Sequence, residues 1–213
     1  MKIIPVDQQS EAIRDSIKHP FLVALAFLRK DSLGPVTEIQ ERLRKLDPRH
    51  IYHPPNTLHI TIKPMGSFGV RIKRQNLREI LDKTRRVASD TKSFDVTLRG
   101  LAYFPDALYA KVADGRREIV QLNKSLARSL KSMVDWGRYE GDQMIPHVTL
   151  ATFTTSDVNN LLGEIRRANR QKIGRWTVGE IVVVKAHLDR YYGPERERSN
   201  SLERVAKFPL NRP

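Results

Sequence analysis

Apolar and polar residues alternate with unusual regularity over residues 57–63, Thr-Leu-His-Ile-Thr-Ile-Lys. Successive side chains of a β-strand point to opposite faces, so Leu58, Ile60 and Ile62 share one face while His59, Thr61 and Lys63 share the other. The alternation returns over residues 146–150, Pro-His-Val-Thr-Leu, with Val148 and Leu150 backing His147 and Thr149. Residues 21–28 are instead unbroken apolar sequence of strand length, which predicts a central strand buried on both faces. Shorter alternations at Phe94, Val96 and Leu98 and at Leu108, Ala110 and Val112 predict two more strands. Residues 176–186 predict one long strand, and residues 205–210 an edge strand.

Helical spacing fills the intervals. Val36, Ile39, Leu43 and Leu46 predict a helix opened by Gly34-Pro35 and stopped by Pro48. A turn expected after residues 63–66 precedes a helix with Leu77, Ile80, Leu81, Val87 and Ala88 on one stripe. Asp114 is the expected cap of a helix carrying Ile119, Leu122, Leu126, Leu130 and Met133, with Gly137 at its end. Ser156 is the expected cap of another with Val158, Leu161, Leu162 and Ile165. A short helix is expected over residues 12–18, closed by His19-Pro20, and a charged loop over residues 191–198.

Two halves, roughly 21–104 and 107–188, therefore follow one order: strand, helix, His-Thr strand, helix, strand. The expectation is one bilobal domain over 1–213 with an internal duplication. If the halves pack about a pseudo-two-fold axis, the two His-Thr faces meet across a central cleft.

Composition narrows the setting. The chain has 213 residues, 39% hydrophobic and 29% charged, which suits a globular fold with a substantial core. Cysteine is absent, which removes disulfides, thiolate metal sites and a cysteine nucleophile. The start of the chain turns polar at once, and the apolar run at 21–28 is too short to span a bilayer, so a cytoplasmic monomer with no membrane partner is expected. A net charge of +14 favours a polyanionic partner.

The chemistry of the paired faces is specific. Two imidazoles across a cleft can serve as general base and general acid near neutral pH, one taking a proton from an attacking oxygen and the other giving one to a leaving oxygen. Thr61 and Thr149 can donate hydrogen bonds to non-bridging phosphate oxygens, and Lys63 on the same face can add positive charge as negative charge gathers. A phosphodiester is the natural substrate. No His-x-x-x-His pair and no acidic cluster accompanies either histidine, so neither metal nor cofactor is expected.

The motifs His59-Ile60-Thr61-Ile62 and Pro146-His147-Val148-Thr149-Leu150-Ala151, with the strand and helix between them, resemble the two-histidine phosphoesterase superfamily, and within it the 2′-5′ RNA ligase and RNA 2′,3′-cyclic phosphodiesterase group. The resemblance spans about residues 20–188. It implies an α+β fold of two pseudo-two-fold-related lobes, with antiparallel β-sheets and outer helices around a central basic cleft. It implies metal-independent action on 2′,3′-cyclic phosphates or 2′-5′ linkages of RNA or nucleotides, with a 2′-phosphate as the hydrolytic product. By motif match His59 and His147 are the proton-transfer pair, and Thr61 and Thr149 hold the phosphate. Lys63 lies outside the motif and rests on the alternation alone. Rival expectations are a 2′-5′ RNA ligase, an esterase of other small cyclic phosphates, and a non-catalytic RNA- or nucleotide-binding module. Among the remaining candidates, His53 is expected as an exposed loop residue, and His187 and Arg138 as marginal contacts. Tyr103, Phe104, Tyr109, Trp136, Tyr139, Tyr191 and Tyr192 form a pool from which base-stacking rings could come.

Overall fold

A computed structural model describes residues 2–6, 19–70, 72–134, 143–192 and 195–212. In chain order its main elements are β1 (Phe21–Phe27), α1 (Lys30–Leu46), β2 (Ile51–Tyr52), β3 (His59–Ser67), α2 (Leu77–Ser89), β4 (Phe94–Tyr103) and β5 (Ala107–Asp114). Then come α3 (Arg116–Leu130), β6 (His147–Thr152), α4 (Asn159–Arg167), β7 (Lys172–Val178), β8 (Glu180–Ala186) and β9 (Leu202–Pro209). The helix expected over residues 12–18 and the end expected at Gly137 lie outside the described residues, as do Trp136, Arg138 and Tyr139.

The strands form one antiparallel sheet in the order β7-β4-β5-β6-β3-β1-β8-β9, with β2 added beside β6. The order reads symmetrically about the seam between β3 and β6. Strand β4 ends the first half of the chain yet pairs with β5, and β8 ends the second half yet pairs with β1. Each lobe thus takes its third strand from the other half, which locks the two together by backbone hydrogen bonds. The apolar stripes of α1, α2, α3 and α4 close over one face of the sheet and form the main core, with Ile60, Ile62, Val148 and Leu150 in it. The α+β class, the antiparallel lobes and the outer helices are as the resemblance implied.

Several local expectations change. Residues 176–186 are two strands rather than one: the chain breaks between Val178 and Glu180, at Gly179, so that β7 joins β4 at one edge while β8 joins β1 on the far side. The core-facing phase shifts by one across the break, from Trp176 and Val178 to Ile181 and Val183. Helix α1 begins at Lys30, ahead of Gly34-Pro35, because Ser32 is buried and its hydroxyl donates to Arg175 O at 2.9 Å, tying the extra turn to β7. Gly115, not Asp114, caps α3: its φ of 77° is left-handed, and a Cβ there would lie 2.4 Å from Asp95 O. Val158 rather than Ser156 precedes α4. The turn expected after residues 63–66 follows the end of β3 at Ser67 and falls at Gly69-Val70, where Gly69 has a left-handed φ of 87°. The segment expected as a charged loop contains helical turns at Leu188–Tyr191 and Glu195–Arg198.

Candidate active site

Strands β3 and β6 meet at Ile60 and Val148, both fully buried against the helices. That pairing turns the other face of both strands outward together. One step either way along the antiparallel seam brings His59 opposite Thr149 and Thr61 opposite His147. The two motifs thus form a checkerboard of two imidazoles and two hydroxyls, all on the face away from the helices.

Both imidazoles are oriented by the same local device. His59 Nδ1 lies 2.6 Å from Thr57 O, and His147 Nδ1 lies 2.7 Å from Ile145 O, in each case the carbonyl two residues earlier. A carbonyl only accepts, so Nδ1 carries the hydrogen in both rings, and Nε2 is the nitrogen that takes up and releases a proton. Burial pushes His59 down to about 4, against the pull of its Thr57 hydrogen bond, and the neighbouring His147 lowers it further. Burial also lowers His147, while the Ile145 carbonyl and Asp106 act in the opposite direction.

After each motif threonine the strand bulges. Along β3, Ala24 faces Lys63 but Leu25 faces Thr61, so Ile62 is the extra residue. Along β6, Leu108 faces Ala151 but Tyr109 faces Thr149, so Leu150 is the extra residue. A bulge shifts the alternation by one, so the next cleft-facing residue comes three positions on. Thr61 is followed at the cavity wall by Pro64, and Thr149 by Thr152. The same shift corrects the placement of Lys63. It pairs with Ala24 of the main core, is fully buried, and stands with its counterpart Ala151 on the helix side, away from His59 and Thr61.

Each bulge is braced by a buried amide from the opposite half of the chain. Asn123 of α3 donates to Ile62 O at 2.7 Å, and Gln40 of α1 donates to Leu150 O at 2.8 Å. Gln40 also donates to His53 O at 3.0 Å. A bulge leaves peptide groups outside the ladder, and these side chains satisfy them where water has no access.

Beside the motifs is a cavity of about 470 Å³, with Thr61, His147, Thr149, Thr152, Tyr191 and Tyr192 in its wall. His59 stands beside it rather than in its lining, edge-on to Phe27 at 6.0 Å between centroids. Phe104 also lines the cavity, stacks on Tyr109 at 4.2 Å, and meets His147 edge-on at 4.9 Å. Four rings of the aromatic pool, Phe104, Tyr109, Tyr191 and Tyr192, are therefore at the cleft.

His53 was missed by sequence reasoning. It is 2% exposed, its Nε2 lies 3.0 Å from Thr152 Oγ1, and its ring stacks on Tyr191 at 4.4 Å. Burial drives it down to about 3, helped by the neighbouring His59, so it stays neutral and supports the cavity wall. A Pro-rich loop carries no periodicity that could have signalled this; β2 pairing with β6 creates the burial. His187 is away from this cavity and pairs with Glu203 at 3.1 Å. Among the described residues no group of three or more His, Cys, Asp or Glu is arranged to hold a metal ion, and no helix is long and apolar enough to cross a membrane.

Comparison with known proteins agrees with this geometry. An RNA 2′,3′-cyclic phosphodiesterase of Methanothermobacter thermautotrophicus is 25% identical over 158 residues, covering 72% of this chain and 82% of that protein. A crystal structure from Thermus thermophilus superposes with a TM-score of 0.67 at 21% identity, over 89% of this chain and 97% of that one. LigT of E. coli complexed with 3′-AMP superposes with a TM-score of 0.65 at 14% identity, over 90% and 98%. The sequence model of the 2′-5′ RNA ligase superfamily matches residues 28–190. With a match over most of its length and a LigT-like fold around two His-x-Thr strands, the chain belongs to the 2′-5′ RNA ligase superfamily of two-histidine phosphoesterases.

Proposed function

We propose that this protein opens 2′,3′-cyclic phosphates at the ends of RNA or on nucleotides, giving 2′-phosphates, by general acid and base catalysis without a metal. The observation that carries the reading is the pair of imidazoles, each held at Nδ1 by the carbonyl two residues before it, on strands that also bring Thr61 and Thr149 to the same face. One histidine Nε2 takes a proton from water as its oxygen bonds to phosphorus. The P–O3′ bond breaks, and the other histidine gives its proton to the departing 3′-oxygen. The threonine hydroxyls donate to the non-bridging oxygens as their charge grows. Exchange with solvent restores both rings. A module that only bound nucleotides would be served by arginine or lysine and has no need of two groups with intermediate pKa values.

The test is turnover of 2′,3′-cyclic nucleotides in the presence of EDTA, with product analysis, for the wild type, His59→Ala and His147→Ala. Each substitution is expected to lower kcat by about 10²-fold or more. Full activity in either variant, or complete loss on chelation, overturns the mechanism. The family match supports a second outcome at the same site: a 5′-hydroxyl of another RNA replaces water and a 2′-5′ linkage forms. Supplying such an RNA and resolving the products on a gel separates ligation from hydrolysis.

A further inference from the structure

The cavity beside His147 is aromatic, whereas the surface beside His59 is cationic. Strand β1 ends at Phe27, directly opposite His59, and the two rings meet edge-on. Beyond Phe27 a groove of about 750 Å³ opens between the end of β1, the β7–β8 turn and the outer strand β9. Its charged lining is Arg29, Lys30, Arg204 and Lys207 against Asp31 and Glu180. Lys207 pairs with Glu180 at 2.6 Å, which leaves three cations facing a single carboxylate. Arg29, Lys30 and Arg204 are all exposed.

Sheet register places Arg204 on the same face as the catalytic pair. Leu25 stands opposite Thr61 and clusters with Val182 and Val184, and Val184 stands opposite Arg204. The Arg204 guanidinium carbon lies 5.1 Å from the Phe27 ring centroid. A continuous track thus leads from His59 over Phe27 to Arg204, with Arg29 and Lys30 flanking it.

We propose that this groove binds the phosphate backbone of single-stranded RNA on the 5′ side of its terminal cyclic phosphate. The inference rests on the phosphodiesterase reading and goes beyond it by separating two subsites. The last nucleoside occupies the aromatic cavity beside His147, and the preceding phosphates lie along the groove beside His59. A cyclic phosphate ends an RNA at its 3′ terminus, so the rest of the polymer leaves the site in one direction only. Arginine and lysine suit backbone phosphates because each contact releases condensed counterions and reads no base.

The experiment compares kcat/KM for a 2′,3′-cyclic mononucleotide with that for an oligonucleotide ending in the same cyclic phosphate. The wild type is expected to prefer the oligonucleotide, and Arg29→Gln/Lys30→Gln/Arg204→Gln to reduce that preference about tenfold or more. At about 0.7 counterions per phosphate contact, three contacts give the oligonucleotide a logarithmic salt slope near −2, and the variant is expected to flatten it. A fold defect would lower both substrates alike and leave the ratio unmoved. In a second arm, fluorescence anisotropy reads the affinity of each protein for a labelled oligonucleotide ending in the 2′-phosphate. If neither substrate is turned over, the phosphodiesterase reading fails, and the anisotropy still decides the groove. Equal preference or equal affinity in wild type and variant overturns the proposal.

Discussion

Gln40→Met tests whether the braced bulge matters for both stability and catalysis. Methionine keeps the length of glutamine and removes the amide. Gln40 is buried, and its Nε2 donates to Leu150 O at 2.8 Å and His53 O at 3.0 Å. Leu150 O keeps a second donor, His53 N–H at 3.0 Å, whereas His53 O loses this amide and stays buried. Two lost hydrogen bonds at about 1 kcal/mol each, with about 1 kcal/mol more for the stranded carbonyl, give roughly 3 kcal/mol. For a chain of this size each kcal/mol moves Tm by about 2–4 °C, so melting is expected about 6–12 °C lower. Leu150 directly follows Thr149, so loosening its carbonyl also releases the bulge that aims Thr149 and Thr152 into the cleft. A displacement near 1 Å costs on the order of 10²-fold in rate, and kcat on a cyclic nucleotide, measured well below the new Tm, is expected to fall between about tenfold and a hundredfold. A lower Tm with unchanged kcat would make Gln40 a structural brace alone. A Tm within about 2 °C of the wild type would refute the energetic argument itself.

Three further outcomes are expected. Thr61→Val and Thr149→Val each remove one hydroxyl from the cavity wall, and each is expected to lower kcat/KM by about tenfold to a hundredfold while circular dichroism stays unchanged. Thermal stability should fall with acidification. His53 is held near 3 in the folded state against 6.5 when unfolded, so below pH 6.5 the unfolded chain binds a proton that the folded chain refuses. At pH 5 this costs about 2 kcal/mol, and His53→Phe, which keeps a ring against Tyr191, should flatten the Tm profile between pH 7 and pH 5. For catalysis the base must be neutral and the acid protonated. Because burial lowers both His59 and His147, kcat/KM should be higher near pH 5.5 than at pH 8, and an optimum above pH 7 would contradict the lowered pair.

The two His-Thr strands were legible in the sequence because alternation and chemistry coincide there: a period of two is a property of the strand itself. Each failure lies where a long-range contact overrides that period. Lys63 continues the alternation perfectly on paper, but the bulge at Ile62 turns it into the core, and the amide that supports that bulge comes from Asn123 on a distant helix. His53 has no local pattern at all and is buried only because β2 joins β6 and Tyr191 closes over it. Residues 176–186 divide at Gly179, and the pairing of β7 with β4 and of β8 with β1 sends the two pieces to opposite sides of the sheet. The paired bulges explain why Lys63 could not have been placed from one motif alone. The first motif runs Thr61, Ile62, Lys63, Pro64, and the second runs Thr149, Leu150, Ala151, Thr152. Aligned on their threonines, Lys63 falls on Ala151, a small residue that suits a core. Had Lys63 faced the phosphate, the symmetric position would be expected to carry a polar group too, and alanine there is the one trace of the bulge left in the sequence.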